Sequence, residues 1–134
     1  MASEVIRSYF DSGALEIESE LHDGIPHGYC RIFYESGGLK QETIRVKGLL
    51  NGMCRQWAED GKLLGSFEFI HGVGTFIEWH PNGQKKVEFS MAAGLSEGAT
   101  RVYDIHGNCV LEQWFLKGTK VSKKAYDAKN SGPK

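Results

Sequence analysis

No stretch of these 134 residues approaches the roughly 20 consecutive apolar residues that a helix needs to cross a membrane. The amino terminus lacks the charged, apolar and cleavage regions of a secretory signal, so a cytoplasmic location is the expectation. Cysteine is scarce, with three residues and no CxxC pair or Cys/His cluster at metal-ligand spacing. Cys30 and Cys54 occupy the same position in adjacent repeats, two strands apart at ~4.8 Å per strand, which exceeds the ~7 Å limit on Cα separation in a disulfide. With Cys109 in a different column, all three read as reduced, small apolar residues, and neither a metal nor another cofactor is expected. Strings of the Gly-x-Ser-x-Gly, P-loop and His-Glu-x-x-His kind are also absent, so no enzyme motif stands out. The net charge of only −1 hides an asymmetry, since residues 116–134 carry +5 and the body −6. A basic tail of this kind is a cue to acidic surfaces, while an acidic body disfavours nucleic acid as a partner.

Glycine is abundant, at 17 residues, and it is periodic. Five times an aromatic residue is followed four positions later by a glycine and eleven positions after that by another: Tyr9, Gly13, Gly24; Phe33, Gly37, Gly48; Trp57, Gly61, Gly72; Trp79, Gly83, Gly94; Tyr103, Gly107, Gly118. The aromatic steps are 24, 24, 22 and 24 residues. A third glycine follows the second by four residues at Gly28, Gly52 and Gly98 but by two at Gly74, which places a two-residue deletion in a loop. Self-similarity at this period signals a stacked array in which each unit touches mainly its neighbours.

Each unit reads as two strands. Segments such as 29–34 and 39–46 are rich in strand formers, and residues 47–52 read as a longer loop. The tight turns end in glycine, as a three-residue hairpin does when a type I turn precedes a left-handed residue. Pro81 fits the first position of such a turn and would lack a needed N–H in a two-residue loop. This register pairs Tyr9 with Leu15, Phe33 with Leu39, Trp57 with Leu63, Trp79 with Lys85 and Tyr103 with Cys109. Continued without interruption, it puts Ile17, Val87, Leu111, Phe67 and Phe89 on the ring-bearing face. The opposite face then holds Glu18, Glu42, Glu88 and Glu112, with Phe10, Ile32 and Tyr34 as misfits.

The segments 37–42 and 79–88 resemble the MORN repeat in its variant form, with an aromatic strand, an x-Asn-Gly type of turn, a Leu-x-x-Glu segment and a Gly-x-x-x-Gly loop. The resemblance covers about residues 5–121. It implies an all-β fold, a single-layer twisted antiparallel sheet of about five consecutive hairpins, with residues 1–121 as the repeat array and 122–134 as a basic tail. Ser122 and the helix formers after it predict a short carboxy-terminal helix, with residues 130–134 disordered.

Two residues before the aromatic, Arg7, Arg31, Arg55 and Arg101 form a column on the ring face, interrupted by Ile77. Such arginines either lie over neighbouring rings as cover or receive an anionic group. The Glu column, with members about 10 Å apart on an open face, offers no paired catalytic carboxylates. The five histidines fall in or beside loops, with His80 and His106 the near neighbours across repeats.

No second layer covers the rings, and Trp, Tyr, Phe and Arg together have the composition of an interface hot spot. The expectation is a non-catalytic protein-binding module, with Arg7, Tyr9, Arg31, Phe33, Arg55, Trp57, Trp79, Arg101 and Tyr103 as the binding residues. The resemblance to bacterial MORN-variant antitoxin and immunity proteins implies a toxin as the protein partner, neutralised by steric docking. The alternatives are a module tethered to an anionic membrane surface or to cytoskeleton, and a homo-oligomeric scaffold built through the open end strands or paired ring faces.

Overall fold

The computed structural model describes residues 2–130, and strand formers punctuated by glycine fold almost all of them into hairpins. Two compact units are present, one up to Gly72 and one from Val73 onward. The first contains β1 (Ser3–Tyr9), β2 (Leu15–His22), β3 (Ile25–Phe33), β4 (Leu39–Val46), β5 (Leu49–Leu50), β6 (Gly52–Trp57) and β7 (Leu63–Ile70). They form one antiparallel layer in the order β1-β2-β3-β4-β6-β7, with the two-residue β5 on β4. The second contains β8 (Val73–Trp79), β9 (Lys85–Ala92), β10 (Leu95–Tyr103), β11 (Cys109–Leu116), β12 (Thr119–Val121) and the helix α1 (Lys123–Asn130). Its strands are likewise one antiparallel layer in chain order. The fold class is thus the one the repeat implies.

The tight turns are the three-residue loops read from the sequence. In the first, the Phe10 N–H donates to the Ala14 carbonyl at 2.8 Å and the Gly13 N–H to the Phe10 carbonyl at 2.9 Å, with Gly13 at φ 92°. All five pairs between an aromatic and its cross-strand partner are those the sequence predicts.

Directly beyond each pair the register slips by one residue, and this reverses the assignment of the faces. Tyr9 pairs with Leu15, but Ser8 pairs with Ile17, so Glu16 is a bulge. Lys40, Leu64, Lys86 and Val110 are skipped in the same way. Because side chains alternate with a period of two, one extra residue exchanges the faces for the rest of the returning strand. Glu18, Glu42 and Glu112 therefore lie opposite Arg7, Arg31 and Arg101 on the ring-bearing face, and Glu88 lies opposite Ile77. Ile17, Phe67, Val87, Phe89 and Leu111 move to the other face, where they join Ile32.

That other face carries the core of the first unit. Cys54 and Phe69 are sealed from solvent at 0% and 1% exposure, and Phe67, Leu50, Thr43 and Gln56 are buried with them. Phe67 and Phe69 meet edge to face with centroids 6.0 Å apart. Full burial of one such ring contributes on the order of 1.5–3 kcal/mol. The Gln56 amide, which would be costly unpaired, donates to Gln41 Oε1 at 3.0 Å. In the second unit the corresponding contact is Phe76 stacked on Phe89 at 5.1 Å.

The connections between repeats also differ from expectation. Residues 47–52 are not a long loop: Lys47 and Gly48 form a two-residue turn, with Val46 paired to Leu49. Both turn residues have positive φ, 51° and 85°, as a type I′ hairpin requires. Asp23-Gly24, His71-Gly72, Ala93-Gly94 and Lys117-Gly118 have the same paired positive φ values. After the turn, Gly28 and Gly98 hold a second positive-φ position inside the strand and Gly52 holds one at the start of β6, while Gly74 does not. The two-residue deletion therefore removes a strand irregularity rather than part of a loop.

Ser122 caps α1, its hydroxyl accepting the Ala125 N–H at 3.0 Å. Tyr126 packs on Trp114 at 4.9 Å, which fixes the helix over the end of the second unit. Asn130, expected to be disordered, is the last helical residue, and its side chain donates to the Tyr126 carbonyl. Residues 131–134 lie outside the described part of the chain.

Candidate functional site

The bulges set the arginine and glutamate columns side by side as a ladder. In the first unit the Arg7 Nε donates to Glu18 at 2.8 Å, and the Arg31 Nε donates to Glu42 at 2.7 Å. Arg31 also approaches Glu18 to 3.8 Å, so it lies between two carboxylates. The second unit repeats this motif, with Arg101 bound to Glu112 at 2.8 Å and 3.8 Å from Glu88. Hydrogen bonds from Arg7 and then Tyr29 hold the Glu18 carboxyl below the usual glutamate range, and those from Arg101 and Trp114 do the same for Glu112. Burial alone would raise Glu88, but hydrogen bonds from Tyr103 and Lys85 outweigh it and leave its pKa lowered. The Tyr103 hydroxyl, which donates to Glu88, is pushed up to about 12.

The arginines also cover rings, though not those of the predicted column. Arg31 lies 3.8 Å over Tyr29, and Arg101 lies 5.5 Å over Trp114. Arg55 is the exception. It faces Glu42 and Ser66 in register and makes no ion pair among the described residues.

The five column rings stand at the turn end of this face. Tyr9 is 57% exposed, and Phe33 and Trp57 are half-buried, with the exposed Leu63 opposite Trp57. In the second unit Trp79 and Tyr103 wall an open cleft of about 370 Å³ floored by Gly83, Gln84, Lys85 and Gly107. Each unit thus places its predicted binding residues on one face, Arg7, Tyr9, Arg31, Phe33, Arg55 and Trp57 in the first and Trp79, Arg101 and Tyr103 in the second. What the sequence reading missed is that the glutamates stand among them. The signal was the constant spacing of eleven residues in Arg7/Glu18, Arg31/Glu42 and Arg101/Glu112.

Of the histidines, His22 and His27 are the ring neighbours, 5.9 Å apart, while the His80 ring is hydrogen-bonded to the Tyr103 carbonyl. Among the described residues no group of three or more His, Cys, Asp or Glu side chains could hold a metal ion. Cys30, Cys54 and Cys109 are free thiols, half-buried, buried and exposed in turn.

With this geometry in view, the family comparison is specific. The MORN repeat variant family model matches residues 26–45 and 73–92. Two hairpins of the chain match the MORN repeat variant. Each match spans one hairpin, β3–β4 in the first unit and β8–β9 in the second. The hairpins β1–β2, β6–β7 and β10–β11 have the same turn and bulge as these two MORN hairpins. MORN repeats are in general non-catalytic modules that engage proteins or membranes. Comparison with curated proteins and with solved structures finds no match in either.

Proposed function

We propose that this chain is a non-catalytic binding module that docks a protein partner through the rings of its arginine-bearing face. One observation carries this reading. Arg7, Arg31 and Arg101 are paired with glutamates of the same face, whereas beside them Tyr9 is exposed and Phe33 and Trp57 are only half-buried. A surface of partly exposed rings next to internally paired charges favours an apolar, aromatic-centred interface over an anion-binding groove. The most concrete partner for such a surface is a toxin held inactive by docking.

The test compares capture of partners by the wild-type chain and by Tyr9→Ser with Trp57→Ser, at low and high salt. The partner should be retained at high salt and lost from the folded double variant, by at least about tenfold in affinity for two aromatic anchors. Equal capture by both proteins would contradict the reading. Anionic vesicles serve as the control: binding to them that ignores the rings and disappears at high salt would instead favour membrane tethering through the lysine-rich tail.

A further inference from the structure

Inside the units, arginine and glutamate repeat as neighbours at each junction between hairpins. Glu18 on β2 faces Arg31 on β3, Glu42 on β4 faces Arg55 on β6, and Glu88 on β9 faces Arg101 on β10. The two ends of the chain carry the unmatched halves of this pattern. Arg7 stands on the outer strand β1 with a carboxylate on its inner side only, and its side chain is 47% exposed against 37% for Arg31 and 33% for Arg101. Glu112 stands on β11 with Arg101 on its inner side, and it is 40% exposed against 14–21% for Glu18, Glu42 and Glu88.

The backbone edges match the charges. β12 pairs only with Trp114–Leu116, and then the chain turns off into α1. Cys109–Glu112 are all exposed. The helix does not cover them: Tyr126 lies on Trp114, and the helix lines a cleft with Glu97, Leu116 and Lys117, toward the other end of β11. Lys123 of the helix adds to the lowering of the Glu112 pKa but is itself paired with Asp127 at 3.0 Å. At the opposite end of the chain β1 is exposed throughout and contains no proline or lysine to blunt its edge.

We infer that β1 of one copy adds to the open edge of β11 of a second copy, so that the chain associates head to tail. Applying the register of the β2–β3 junction, in which Ile17 meets Ile32 and Glu18 meets Arg31, places Leu111 beside Ser8 and Glu112 beside Arg7 of the next copy. Arg7 then lies between two glutamates, as Arg31 and Arg101 do, and Glu112 between two arginines. Leu111 at 45% exposure and Ile6 at 49% are covered by the added strand. The contact is heterologous, because each copy offers two different edges, so further copies can add through the same contact. A junction of one strand pair buries less than about 1,000 Å², so association is weak.

Sedimentation velocity from about 10 μM to about 1 mM tests it, a span suited to a weak interface. The wild-type chain should rise in weight-average mass above its 14.9 kDa monomer, and Arg7→Glu and Glu112→Arg should each weaken association by about tenfold or more. An equimolar mixture of the two variants should associate again, because each then meets an opposite charge on the other. Ile6→Lys, at an exposed edge position outside the ion pairs, should remain folded by circular dichroism and monomeric. A wild-type chain that is monomeric throughout, or single-charge variants that associate as it does, would overturn the inference.

Discussion

Replacing Arg31 with Met separates the two readings of the arginine column, because it keeps most of the stem and removes the charge. The guanidinium donates to Glu42 at 2.7 Å and lies 3.8 Å from the centre of the Tyr29 ring. At 37% exposure the ion pair is partly screened and contributes about 0.5–1 kcal/mol, and the cation over the ring about as much. The loss should therefore be about 1–2 kcal/mol, enough to lower the melting temperature of a domain of this size by roughly 3–10 °C. Urea denaturation at pH 7 measures it, with the midpoint moving and the m-value unchanged. Affinity for a captured partner should change little. If Arg31→Met unfolds at the wild-type urea concentration but no longer binds, the ladder is a docking surface rather than scaffolding.

Gly28 occupies φ 111°, and a Cβ there would fall 2.4 Å from Glu20 Oε1, an oxygen that accepts the Tyr29 N–H at 3.0 Å. Gly28→Ala should destabilise by about 1–3 kcal/mol through backbone strain and loss of that hydrogen bond, as thermal melts would show. Lowered carboxyl pKa values at Glu18, Glu88 and Glu112 mean that the unfolded chain binds protons first, so their stabilisation is complete above the ordinary glutamate value of 4.5 and is lost as pH falls below it. Urea midpoints should therefore decline from pH 5 to pH 3, and Glu18→Gln should decline less steeply.

Glycine spacing made the tight turns and the five aromatic pairs legible, since a left-handed residue at Gly13 and its equivalents admits few alternatives. The bulge was not legible, because Glu16, Lys40, Leu64, Lys86 and Val110 share no chemistry that marks an unpaired residue. One extra residue then moved the whole returning strand to the other face. The misfits Ile32 and Tyr34 were its trace, as Ile32 lies beside Ile17 and the Tyr34 hydroxyl donates to the Trp57 carbonyl at 2.7 Å. The two-residue turns at Lys47-Gly48 and its equivalents were also readable, since x-Gly between strands is a hairpin signal, but the third glycine drew the loop too long. The helix and its Ser122 cap followed from local propensity alone.

Hydroxyl-radical footprinting of the free, folded chain tests most directly which side of the first unit is sealed. The face assignment predicts rapid oxidation of Tyr9 and measurable oxidation of Trp57, with Phe67 and Phe69 protected until the chain unfolds. Protection of Tyr9 and Trp57 together with oxidation of Phe67 and Phe69 would contradict it.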